Sequence, residues 1–145
     1  MFNRLRCRLL SPSLLLIAIL SVGCGAAETG PKRYDFSGKV TYGGKPVPRG
    51  SITFDPDRAK NNSGPSSVVP IVNGAFKTEH GAGLLGGSYV ARIDGYDGVV
   101  QKLDDGTENP DGSPLFKLTV IEFEMPKETS SKDFDVPVAE AKKKR

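Results

Sequence analysis

The chain has 145 residues, enough for one ordinary domain, with 37% hydrophobic residues, 26% charged and a formal net charge of +3. Its single histidine, His80, excludes blue-copper centres, His-rich zinc sites and two-histidine iron sites, and its two cysteines, Cys7 and Cys24, allow neither a disulfide framework nor a Cys-cluster metal site. Gly (17) and Pro (11) are abundant, which favours a turn-rich chain over a helical one.

Arg4, Arg6 and Arg8 open the chain with positive charge and no acid nearby. The apolar run Leu14–Leu20 follows and ends in Ser21-Val22-Gly23-Cys24. Positive, apolar, then small is the order of a secretory signal peptide. The run is shorter than the roughly 20 apolar residues a membrane span needs. Leu20-Ser21-Val22-Gly23-Cys24 resembles a bacterial lipobox, with Leu20 one place earlier than the usual large aliphatic and Ser21 in its position. The resemblance implies a diacylglyceryl thioether on Cys24 and cleavage before it, with residues 1–23 removed. An ordinary cleaved signal with an incidental cysteine is the alternative. Removing three of the 20 basic residues leaves 17 Lys and Arg against 17 Asp and Glu. The basic character is then a property of the address, and nucleic-acid binding has no support.

Gly25–Arg33 is small, polar and aperiodic, and is read as a tether reaching about 30 Å when extended, at ~3.3 Å per residue. From Tyr34 onward the period is two, the strand period. Phe36, Val40 and Tyr42 share one face, and Gly43-Gly44 turns the chain. Ile52 and Phe54 define the next inward face, which Asp55-Pro56 ends. Residues 58–67 form a polar loop. Val68–Val72 is a strand that Pro70 assigns to an edge or a bulge. Asn73-Gly74 is a hairpin turn, with Ala75–Glu79 as the return strand. Residues 80–87 are a Gly-rich loop plugged by Leu84-Leu85. Tyr89, Ala91 and Ile93 then point inward.

Residues 94–114 read as the longest irregular stretch. In Phe116–Met125 the apolar phase slips between Val120 and Ile121, which predicts a β-bulge. Phe134, Val136 and Val138 form the inward face of a last strand, and residues 139–145 a basic tail. Seven short strands without a helical stripe predict an all-β, antiparallel sandwich over residues 34–138.

The stretch Phe36–Phe54, with its Gly-Lys-Val strand, Gly-Lys-Pro turn and Gly-Ser-Ile-Thr-Phe strand, resembles the opening of carboxypeptidase regulatory-like domains. Asn73-Gly74-Ala75-Phe76 and Gly86–Ile93 are similar to later pieces of that family. The resemblance implies a transthyretin-like (prealbumin-like) seven-stranded β-sandwich. A lipoprotein signal placed directly before it resembles a class of small lipoproteins of planctomycete-like bacteria. The family implies a fold and no particular activity.

Candidate chemistry is sparse. His80 lies in a Gly-rich loop with no nucleophile elbow nearby. Glu122, Glu124, Asp133 and Asp135 alternate with apolar residues as outer strand faces do. Asp94, Asp97, Asp104, Asp105, Glu108 and Asp111 offer oxygens of the kind calcium takes, without an EF-hand register. The bland reading makes them turn residues of a solvated loop. Tyr96 is a candidate for stacking on a sugar or for capping the core. Asn61-Asn62-Ser63 matches a glycosylation sequon by composition alone. The expectation is a non-catalytic envelope lipoprotein, exported across the inner membrane and held on its periplasmic or cell-surface face through Cys24, with no cofactor and no metal. Its partners are the membrane and an envelope protein, glycan or cell-wall component. A calcium- or carbohydrate-binding adhesion module is the alternative.

Overall fold

The computed structural model describes residues 30–138. Their strands are β1 (Phe36–Tyr42), β2 (Lys45–Pro46), β3 (Arg49–Pro56), β4 (Ser67–Val72), β5 (Ala75–Lys77), β6 (Gly87–Tyr96), β7 (Gln101–Lys102), β8 (Glu108–Asn109), β9 (Thr119–Met125), β10 (Ser130–Ser131) and β11 (Phe134–Val136). A single 3-10 turn, Arg58–Lys60, is the only helical element among the described residues. The protein is all-β. The main sheet runs β10-β1-β5-β4-β3-β6-β9, with β11 and β2 also paired to β1, and β7-β8 form a separate ribbon.

Period-two patterning places the core. Phe36 and Val40 of β1, Ile52 and Phe54 of β3, Val69 and Ile71 of β4, and Tyr89, Ala91 and Ile93 of β6 are buried. The sheet curls, so strands distant in the ladder meet through their side chains. The Phe36 ring stacks on Phe123 of β9 at 5.4 Å and meets Phe54 of β3 edge-on, also at 5.4 Å. Phe76 and Phe134 complete this aromatic centre. Thr78 is the one buried polar residue among those described, and it brackets Phe36: its amide donates to the Phe36 carbonyl and its Oγ1 accepts from the Phe36 amide, both at 2.9 Å.

Four expectations need correction. First, the sheet is not antiparallel throughout, because β10 and β11 run parallel to β1. Residues 126–129 carry the chain from the end of β9 to the start of β1, and from there it can only run alongside β1 in the same direction. β10 and β11 share one register against β1 (36↔130, 40↔134) and are parted where Lys132 turns its carbonyl towards Gly38. A Cβ on Gly38 would collide with that carbonyl. Asp133 Oδ1 accepts the Lys39 amide at 2.8 Å and replaces the missing ladder bond.

Second, no bulge separates Val120 from Ile121. β9 pairs with β6 without interruption from Met125↔Gly87 to Thr119↔Ile93. Ile121, Phe123 and Met125 face the core side, whereas Leu118 and Val120 are exposed. The slip marks a change of face, not of register. Third, Val138 is exposed and the inward set of the last strand ends at Val136. Fourth, residues 97–114, irregular for most of their length as expected, carry a short two-stranded ribbon that makes them a hairpin arm. Gln101 pairs with Asn109 and Lys102 with Glu108, and a Tyr96↔Pro114 bridge closes the root. Asx turns and side-chain brackets build it in place of apolar alternation, so period-two reading passes over it.

Pro70 meets its expectation in part. β4 pairs with β3 straight through Pro70↔Ser51, while on its other side it meets β5 only at Val72↔Ala75. The proline lies where one side of the strand has no ladder partner, which its missing N–H allows. Asn73 and Gly74 both take positive φ, at 51° and 77°, as the expected tight turn requires.

Candidate functional site

Strand direction gives the folded unit two ends. β1 begins at Phe36 and finishes at Tyr42, about 20 Å away at ~3.3 Å per residue. The first end holds Tyr34, Leu84, Asn62 and the chain's exit towards residue 30. The second end holds the 43–46 turn, the root of the arm and the segment entering β9.

Leu115, Phe116 and Leu118 enter β9 before its ladder with β6 begins at Thr119. The Phe116 ring packs on Tyr42 at 5.1 Å between centroids. Together with Lys117, Thr119 and Pro137 these residues line an open groove of about 550 Å³. A smaller hollow of about 170 Å³ adjoins it, lined by Tyr42, Lys45, Pro46, Pro48, Asp97 and Leu115. Tyr42 and Leu115 belong to both, so the two form one apolar trough crossing this end. Lys45 and Lys117 are exposed on it, and neither forms an ion pair among the described residues.

Asp97 joins the trough to the arm. Its Oδ1 accepts the Val99 amide at 2.9 Å and the Ser113 amide at 3.0 Å, tying the two arm strands together at their root. Gly112 passes so close to this carboxylate, at φ +81°, that a side chain there would collide with it and with the Val99 backbone. Asn109 accepts the Asp111 amide and donates to the Gly112 carbonyl. At the tip, Asp105 Oδ1 accepts from Thr107 Oγ1 at 2.6 Å and from the Thr107 amide at 2.9 Å. These bonds, the hydroxyl first, hold the Asp105 carboxyl below its ordinary value.

Asp97 and Asp105 therefore serve the arm's own amides, the turn role that was the alternative to calcium. Among the described residues no three His, Cys, Asp or Glu side chains gather as a metal would require. Asp94 accepts from the Ser51 hydroxyl at 2.8 Å. Asp104, Glu108 and Asp111 are exposed on the arm. Tyr96 is half-buried at the arm's root, paired across the ladder with Arg49.

His80 has a side chain 99% exposed, with Nδ1 3.6 Å from Asp35 Oδ2, an ion-pair distance longer than a hydrogen bond. Glu122 bonds to Lys60 at 2.7 Å and Glu124 accepts from Ser88 Oγ at 2.6 Å, both on the outer face. The Glu122 bond, and then its charge, raises the Lys60 ammonium above its ordinary value. Asp133 and Asp135 both bond to β1, Asp135 through the Thr41 hydroxyl. Asn62, in the sequon-like triplet, donates from Nδ2 to the carbonyls of Gly86 and Ser88 at 3.2 and 2.7 Å, and so fastens the loop before β6.

Cys24, the expected lipid-bearing residue, lies outside the described residues, as do the signal segment and the 139–145 tail. The trough was not foreseen, because Tyr42 and Phe116 read as ordinary core positions. Its signal was the phase slip, in which Phe116, Leu118 and Val120 are apolar out of step with the inward set. Among the described residues no helix is long and apolar enough to cross a membrane. No protein-family model matches the chain, and neither a curated protein nor a solved structure matches it.

Proposed function

We propose that this chain is a non-catalytic envelope lipoprotein, secreted across the inner membrane and anchored through a lipid on Cys24, carrying one transthyretin-like β-sandwich of carboxypeptidase regulatory type as a structural and binding module. One arrangement carries the reading. The lipobox-like Cys24 is followed by nine small or polar residues, and the ladder then begins at once, with the Tyr34 amide bonded to the Leu84 carbonyl at 2.8 Å. A domain held by this tether offers Tyr42, Phe116 and Leu118 to a protein, glycan or cell-wall component. The meeting of Phe36 with Phe54 and Phe123 supports two layers around one core. The exposed His80 and the outward acids favour a binding role over catalysis.

The intact mass of the protein purified from its native membrane fraction tests this. The expected mass is residues 24–145 plus a diacylglyceryl group, with or without a further acyl chain. An unmodified chain in the soluble fraction overturns the anchor and identifies the Ser21 position as decisive.

A further inference from the structure

The arm and the trough are complementary in two independent respects. The arm exposes Val99 (62%), Val100 (56%) and Leu103 (48%), apolar side chains that a two-stranded ribbon has no core to cover. Around them stand Asp104, Asp105, Glu108 and Asp111 against the single cation Lys102. The trough is apolar along Tyr42, Leu115, Phe116 and Leu118, with Lys45 and Lys117 on it, neither paired to an acid among the described residues; the one acid in its lining, Asp97, is engaged by the Val99 and Ser113 amides. One surface is apolar and anionic, the other apolar and cationic.

A chain's own arm does not fill its own trough, since the arm's apolar residues and Leu118 (59%) are exposed together. Both features sit at the same end, and Asp97 takes part in both. Two copies meeting at that end about a two-fold axis satisfy both troughs at once, because an isologous contact uses each surface twice. From the Tyr96↔Pro114 bridge to the Leu103–Thr107 hydrogen bond the arm runs seven residues, at most roughly 23 Å at ~3.3 Å each, so its tip reaches into a groove of this size.

We infer that two copies of this chain associate at the end that carries Tyr42 and Phe116, the tip of each β7–β8 arm seated in the lysine-bearing apolar trough of the other. The occupant is a second copy, because the chain itself carries a segment matching the trough in both polarity and charge. The inference goes beyond the anchoring proposal and does not depend on it.

The test uses residues 24–145 with Cys24→Ser, which retain every core residue from Phe36 to Val136. Failure of lipid attachment therefore leaves its outcome unaffected. Sedimentation over a concentration series reads a dimer. Carbodiimide coupling of mixed light and heavy-nitrogen chains yields mixed-isotope cross-links from Lys45 or Lys117 to Asp104, Asp105 or Glu108. Leu103→Asp, and separately Val100→Asp, weakens association by about tenfold or more without moving the melting temperature, since both positions are exposed. A chain with Lys45→Glu and Lys117→Glu, and another with Asp104→Lys and Glu108→Lys, which leaves the Asp105 turn intact, each self-associate poorly. Mixed, they pair, because each arm then meets a trough of opposite charge. A wild-type chain that stays monomeric at its highest soluble concentration overturns the inference. So does a dimer indifferent to all four variants, which would place the interface elsewhere, for instance along the edge of β9 that has no ladder partner among the described residues.

Discussion

The two ends of the folded unit are closed by different means. At the end where β1 begins Leu84 is 1% exposed, the Tyr34 and Leu84 backbones bond to each other in both directions, and Asn62 fastens the 86–88 backbone. Tyr89 adds its hydroxyl, which accepts the Leu85 amide at 3.0 Å. At the other end Tyr42 and Phe116 are only half-buried, Leu118 is 59% exposed and the arm carries apolar residues into solvent. At the first end Leu84, Asn62 and Tyr89 are engaged by their own chain, so these side chains act in stability. The second leaves apolar surface uncovered, so its side chains are spare for recognition.

Paired truncations give the largest expected contrast. Leu84→Ala removes a buried side chain and costs about 2–5 kcal/mol. Leu118→Ala at the open end stays within about 0.5 kcal/mol. Denaturant melts of the two variants measure both, and equal losses would erase the distinction between the ends.

Next comes Asn62→Ala, which leaves the Gly86 and Ser88 carbonyls without their side-chain donor and costs about 1–3 kcal/mol in the same melts. A neutral result would mean that the 86–88 backbone is held by the surrounding ladder alone.

Gly112→Ala acts on the arm. The left-handed backbone alone costs a side chain about 1–2 kcal/mol, and the collision with Asp97 and Val99 adds to it. Amide exchange at Gly98 and Leu103 should accelerate while β3 and β6 keep their protection. Loss of protection throughout would make the arm part of the main cooperative unit.

The smallest effect is acid-dependent. Asp105 has a carboxyl held below 3.8 in the folded arm, so its contribution is complete above that value. It fades as pH falls below 3.8 and the folded carboxyl takes up its proton. Exchange of the Thr107 amide followed through this range should show the loss, and Asp105→Asn should remove the pH dependence. A Thr107 amide equally protected on both sides of the range would discount the turn's ionic character.

Legibility in the sequence followed burial. Phe36, Val40, Ile52, Phe54, Tyr89, Ala91 and Ile93 were readable because a strand with one buried face alternates, and all are buried. The Asn73–Gly74 turn was readable because few residue pairs accept two positive φ values in succession. The arm was not, since Asp97, Asp105 and Asn109 build it by bonding to nearby backbone, and the same residues equally compose an irregular loop. The trough was hidden for a related reason. Phe116 and Leu118 are as apolar as core residues, and sequence does not say which neighbours remain to cover them.

The sequence by itself determined the all-β class, the inward faces of β3 and β6 and most of that of β1, and the position of the tight hairpin, because these follow from local period and turn chemistry. It also carries the lipobox-like segment ending at Cys24 and the small, polar run 25–33, which need no fold to be read. Only the tertiary structure decided that the last strand lies parallel to β1, that Leu118 and Val120 face outward without a bulge, and that the lysines and aromatics of the trough share one end with the acidic arm. Each of these depends on which segments meet across the curled sheet, a matter of long-range pairing that no local pattern specifies.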